Sequence, residues 1–164
     1  MKRRVLWIED EAFVAAQVFT GPVLAADDLD LTIAYSASHA EEVLLADGTE
    51  YDAVVVDIRL HPGRKPHWLD RFRERRQDVA FARLGLLLLY ALLLPGQAPE
   101  EQNPVVLEVP AWVSPARFGV LSVETKEDLA MHLQRLLIPE SHMVEKTRNT
   151  KDTALIDLIR RILV

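Results

Sequence analysis

Two unbroken apolar runs, each closing on an acid, constrain this chain most: "RRVLWIED" at residues 3–10 and "YDAVVVD" at residues 51–57. A strand with one wet face alternates apolar and polar side chains, whereas an unbroken run needs cover on both faces. Parallel sheets meet that condition, because each crossover between parallel strands lays a helix on the sheet. The segments between the runs supply such helices. "DEAFVAAQVF" places Phe13, Val14, Gln17 and Val18 on one helical stripe, which Gly21-Pro22 breaks or kinks. "LDLTIAYSA" reads as a second strand, and Ser38 with Glu41 forms a capping box that opens a helix through Leu45.

After the second acid-tipped run, "HPGRKP" is a loop and "HWLDRFRERRQ" a short helix with Trp68, Leu69 and Phe72 inward. Residues 84–89, in the run "LGLLLLYALLL", read as a fourth strand. Prolines chop the stretch from Leu92 to Arg117, within which "PVVLEV" is a further short strand candidate, and "FGVLSV" is the next strand. Thr125 and Asp128 cap the helix "KEDLAMHLQRLL". Beyond the polar linker "PESHMVEKTRN", a last amphipathic helix aligns Leu155, Leu158, Ile159 and Ile162. That stripe is too apolar to stay solvated, so it docks on its own domain or forms a homodimer. The expected class is α/β, a doubly wound parallel sheet, with one domain over residues 1–137 and a linker plus helix over 138–164.

At 164 residues and 49% apolar content, the chain can bury one real core. It has no cysteine, which excludes disulfides and thiolate metal sites. "MKRR" is followed by too short an apolar stretch for an export signal, and the cytoplasm is the expected location. The greasiest run falls short of the roughly 20 residues needed to span a bilayer, so no membrane partner is expected. A net charge of −6 argues against nucleic acid as a partner. The one basic run, from Arg59 through Arg71, Arg73 and Arg75 to Arg76, reads as a solvated face that balances the acidic remainder. His61 and His67 flank it without the spacing of a zinc site, and Trp112 reads as an anchor under an irregular loop.

In a doubly wound sheet, ligands sit at the carboxyl ends of the strands. Glu9 and Asp10 end the first strand and Asp57 ends the third, so three carboxylates converge if those strands are neighbours. Their repulsion must be relieved by a cation, a basic side chain or protonation. A magnesium ion suits them, because it takes one or two carboxylates with backbone oxygen and water and leaves room for phosphate oxygens.

"RVLWIEDE", "YDAVVVDIRL" and "FGVLSVETKEDL", in that order and at those separations, resemble the first, third and fifth strand motifs of response-regulator receiver domains, over roughly residues 3–137. The resemblance implies a five-stranded sheet of order 2-1-3-4-5. It also implies Asp57 as phospho-acceptor, Glu9 and Asp10 as the magnesium-holding pair, and the Arg59 carbonyl as a backbone ligand. The implied partner is a histidine kinase or another signalling protein, and the implied role is signalling rather than turnover. Two departures stand out. No serine or threonine occurs from Gly85 to Pro104, where the strand-four hydroxyl should lie, and Tyr90 takes its place. No lysine lies between Lys65 and Lys126, so Ser122 or Val123 stands where the strand-five lysine belongs. The fourth-helix region is irregular and the C-terminal helix is extra. Two alternatives follow: a pseudo-receiver that signals by binding alone, and a magnesium-dependent phosphotransfer or nuclease-type enzyme. The latter needs an Asp-x-Asp, and here Asp57 is followed by Ile58 and Arg59.

Overall fold

A computed structural model describes residues 1–75, 78–99 and 103–164. Strand β1 (Arg3–Ile8) leads through turns and a 3-10 turn (Gln17–Phe19) to a short helix, α1 (Thr20–Leu24). Strand β2 (Leu29–Ala34), helix α2 (Ala37–Leu44) and strand β3 (Ala53–Val56) follow. Three helices then come in succession, α3 (Pro66–Glu74), α4 (Val79–Ala82) and α5 (Leu84–Leu93), before β4 (Phe118–Ser122). Helix α6 (Lys126–Arg135), strand β5 (Met143–Glu145) and helix α7 (Ala154–Ile162) complete the chain. All five strands are parallel, in the order β2-β1-β3-β4-β5. The doubly wound sheet and its 2-1-3-4-5 order are as expected.

Alternate residues of each strand serve different layers, as the period of a strand requires. Leu6, Ile8, Val54, Val56, Phe118 and Val120 join the core that includes side chains of α2, α3, α5 and α6. Val5, Trp7, Ala53, Val55 and Leu121 join the opposite core with α1 and α7.

The expected fourth strand is instead helix α5. Every residue from Leu84 to Leu92 is buried, so the helix has no polar face and shows no period. The run is rich in leucine and has no β-branched residue, which favours helix over strand. "FGVLS" is therefore β4 rather than a fifth strand, and "PVVLEV" forms no strand. The irregular segment belongs to the β3–β4 connection and does not replace a fourth helix: α6 follows β4 directly, capped by Thr125.

Two helix starts also differ. Phe13, Val14 and Val18 are exposed, while Ala12, Ala16, Phe19 and Val23 are buried. Residues 10–16 form turns, which shifts the phase of the stripe, and Pro22 lies inside α1, where a missing N–H is tolerated near a helix start. The N-cap of α2 is Ser36, whose Oγ accepts from the His39 N–H at 3.1 Å. Ser38 instead donates to the Pro62 carbonyl at 2.6 Å and accepts from the Lys65 N–H at 2.9 Å. Glu41 accepts from Lys65, His67 and Trp68 at 2.6–2.7 Å, so the intended capping box ties down the loop after β3.

Strand β5 and helix α7 lie beyond residue 137, where the domain was expected to end, yet β5 pairs with β4 and α7 covers the sheet. A Cβ at Gly119 would sit 2.8 Å from Ile162 Cδ1 and 2.9 Å from the His142 carbonyl oxygen, so glycine leaves room both for α7 and for the backbone that enters β5. Leu155, Leu158 and Ile159 are fully buried there. The stripe that suggested a homodimer is covered by the chain's own sheet. Among the described residues, no helix is long and apolar enough to cross a membrane.

Candidate functional site

The register of β1 on β3 sets Ile8 opposite Val56, which brings Glu9 and Asp57 side by side one residue further on. The ladder continues there: the Glu9 N–H donates to the Ala34 carbonyl and the Asp57 N–H to the Ile8 carbonyl, both at 2.9 Å. Carboxylate oxygens of Glu9, Asp10 and Asp57 all lie within 4.8 Å of one another, as the strand ends predict. Glu9 has no exposed surface and Asp57 is 4% exposed.

The counter-charge is Lys146, which the sequence reading missed. It directly follows β5, where its N–H donates to the Ser122 carbonyl at 2.7 Å. Its Nζ donates to Glu9 Oε2 at 2.6 Å and to Asp57 Oδ2 at 3.0 Å. Burial pushes the Glu9 carboxyl up to about 8; the neighbouring Asp57 adds to the rise and Lys146 opposes it. Burial also raises Asp10, against the pull of His61, whose N–H reaches Asp10 Oδ2 at 3.1 Å. Burial disfavours charge on Lys146, but Asp57 and Glu9 outweigh it and hold the ammonium above the ordinary lysine range.

A hydroxyl does stand at the end of the fourth strand. Ser122 ends β4, is fully buried, and its Oγ accepts from the Glu124 N–H at 3.4 Å. Tyr90 occupies no strand end: it is buried on α5, where its hydroxyl pairs with His132 Nδ1 at 2.9 Å and joins α5 to α6. Both corrections follow from reading α5 as a strand, which moved every later strand by one place.

Asp10 and Asp57 open onto a cleft of about 610 Å³ that they line with Arg59, Val123, Lys146 and Ala80 of α4. The Arg59 N–H lies 3.5 Å from Asp57 Oδ1, and the Arg59 Nε donates to Glu124 Oε1 at 3.0 Å. Helix α5 rests on the backbone of the site. The Gly85 N–H donates to the Ile58 carbonyl at 3.0 Å, and a Cβ on Gly85 would fall 1.8 Å from the Asp57 carbonyl oxygen.

The basic run is spent on local partners: Arg59 on Glu124, Lys65 on Glu41, Arg71 on Glu74 and Arg73 on Asp70. Arg76 lies outside the described residues. His61 faces Asp10 and His67 faces Glu41, so the two histidines serve separate carboxylates. Trp112 packs edge-on to Tyr51 under the irregular segment.

No protein-family model matches the chain, and no curated protein matches it in sequence. Solved structures match its fold. The non-phosphorylated HemR receiver domain from Leptospira biflexa aligns with a TM-score of 0.53 at 15% identity, covering 99% of this chain and 94% of that one. A response regulator receiver protein from Pseudoalteromonas atlantica aligns at 0.54 and 12% identity, covering 97% and 95%. The N-terminal domain of a response regulator/sensory box/GGDEF three-domain protein from Carboxydothermus hydrogenoformans aligns at 0.52 and 16%, covering 98% and 94%. The fold is that of response-regulator receiver domains, carried at low sequence identity.

Proposed function

We propose that this chain is a cytoplasmic receiver-type signalling protein whose Asp57 accepts a phosphoryl group from a histidine kinase or related phosphodonor. The observation that carries this reading is the Lys146 ammonium bridging Glu9 and Asp57 at 2.6 and 3.0 Å, beside the buried Ser122, at the carboxyl edge of a receiver-type sheet. In this reading an Asp57 carboxylate oxygen attacks phosphorus as the donor's P–N bond (phosphohistidine) or P–O bond (acyl phosphate) breaks and the bonding pair leaves with the donor's imidazole or carboxylate. Lys146 pairs with the phosphoryl oxygens, and Ser122 is the hydroxyl that answers their arrival. Glu9, Asp10, Asp57 and the Arg59 carbonyl would hold Mg2+. The fit is good, since the cluster offers three carboxylates, all hard oxygen, with ligand atoms within 4.8 Å of one another. Bound Mg2+ supplies charge compensation between the acids and the incoming phosphoryl group. The protein then works as an acceptor and switch, not as a turnover enzyme.

Mass spectrometry after treatment with a small-molecule acyl phosphate, with and without Mg2+, tests this on the native chain and Asp57→Ala. Mg2+-dependent gain of one phosphoryl group that Asp57→Ala abolishes is the expected result. A native chain that neither gains the group nor binds Mg2+ would instead mark a pure interaction module.

A further inference from the structure

Two arginines share one buried carboxylate beside the acidic pocket. Glu124, two residues past Ser122 and 5% exposed, accepts from Arg59 and from Arg83. The two bonds are unequal. Arg83 reaches both oxygens, its guanidinium 2.9 Å from Oε2 and its Nε 3.4 Å from Oε1, whereas Arg59 makes a single 3.0 Å bond through Nε. A two-point guanidinium–carboxylate contact is the stronger and the more directional. Arg83 is also fixed by its backbone. It sits between α4 and α5 at φ +46°, a left-handed conformation that a non-glycine residue keeps only where its surroundings impose it. Arg59 is the releasable partner: it lines the same cleft as Asp57 and Lys146 and starts from a backbone N–H beside Asp57 Oδ1.

The geometry points to Arg59 as a second phosphoryl-binding cation, parked on Glu124 in the unmodified protein and freed to turn into the cleft when the phosphoryl group arrives. This rests on Asp57 being the acceptor. Arg59 is the group that touches the phosphoryl oxygens; Glu124 and Arg83 are positioning residues. Glu124 competes with the phosphoryl group for Arg59. Arg83 takes up part of the Glu124 charge, weakening its hold on Arg59 and keeping the carboxylate in place once Arg59 leaves. Because Arg83 belongs to the β3–β4 connection, that long segment sets the affinity of the acidic pocket for its anion.

The signs of three substitutions separate this role from a merely structural one. Beryllofluoride with Mg2+, a phosphoryl mimic, is titrated into the full chain and the bound species followed by 19F NMR, with Asp57→Asn as control. Arg59→Gln should weaken binding about tenfold, the worth of one charge-assisted hydrogen bond. Glu124→Gln should tighten it severalfold by releasing Arg59. Arg83→Gln should weaken it, since the whole Glu124 charge then falls on Arg59, and adding Glu124→Gln to Arg83→Gln should restore tight binding. If the native chain binds the mimic and all three variants weaken it or leave it unchanged, the parking role is wrong while Asp57 remains the acceptor. If the native chain does not bind the mimic at all, the acceptor reading falls and this inference falls with it.

Discussion

Glu9 gives the molecule a stability term of unusual sign. Its carboxyl titrates at about 8 in the folded chain against 4.5 when exposed. Between those values the folded chain holds a proton that the unfolded chain has lost, so the Glu9 contribution falls as pH rises from about 4.5 to about 8 and then levels. Glu9→Gln stays neutral throughout and should gain on the native chain across that window; parallel unfolding-temperature profiles from about pH 5 to about pH 8.5 would refute this. Added Mg2+ should raise the native unfolding temperature more at the upper end of the range than at the lower. Lys146 is the complement. Truncation by Lys146→Ala leaves Glu9 and Asp57 buried together and should cost about 3–5 kcal/mol in denaturant unfolding at neutral pH, a cost that shrinks in acid. The three acids were visible in the sequence because each follows an unbroken apolar run. Arg83 and Glu124 were not, since nothing local relates two residues 41 positions apart that only the tertiary fold brings together.

One element decided how much of the topology could be read. An all-apolar helix and a buried strand look alike to a period test, and taking residues 84–89 as a strand displaced β4, Ser122 and Lys146 in turn. The length of the run and its lack of β-branched residues were the available signals. Strand β5 gave almost none, being three residues within a polar stretch and held by its neighbour β4. Helix α5 has its own test at Gly85. The added methyl of Gly85→Ala must displace either α5 or the Asp57 backbone, both already close-packed. It should destabilise by at least about 1–3 kcal/mol and lower Mg2+ affinity as well, measured by unfolding and by calorimetric titration; an unperturbed site would mean that α5 moves independently of it. Helix α7 was correctly read as needing a partner. Ending the chain after Asn149 removes Leu155, Leu158, Ile159 and Ile162 from the core they share with Val5, Trp7, Val55 and Leu121, so Trp7 emission should shift to the red and the chain should aggregate or unfold. A native-like spectrum with unchanged sedimentation would count against the docking.

At the scale of the whole molecule, the sheet is built from two sequence-distant parts. Strands β1, β2 and β3 come from residues 3–56, and β4 and β5 from residues 118–145, joined by a long connection whose closure costs entropy. Glu9, Asp10 and Asp57 all belong to the first part, while Ser122 and Lys146 belong to the second. If β1 and β3 pair before the distant strands join them, like charges gather at their tips before the counter-ion arrives. The acids oppose the early pairing, and the last strand relieves it. Refolding should speed up when the acids are neutralised by mildly low pH or by Mg2+, and Lys146→Ala should alter the unfolding rate more than the refolding rate, because Lys146 joins late. Stopped-flow refolding at several pH values, with and without Mg2+, would show it; a refolding rate indifferent to both would mean that the two parts of the sheet form together.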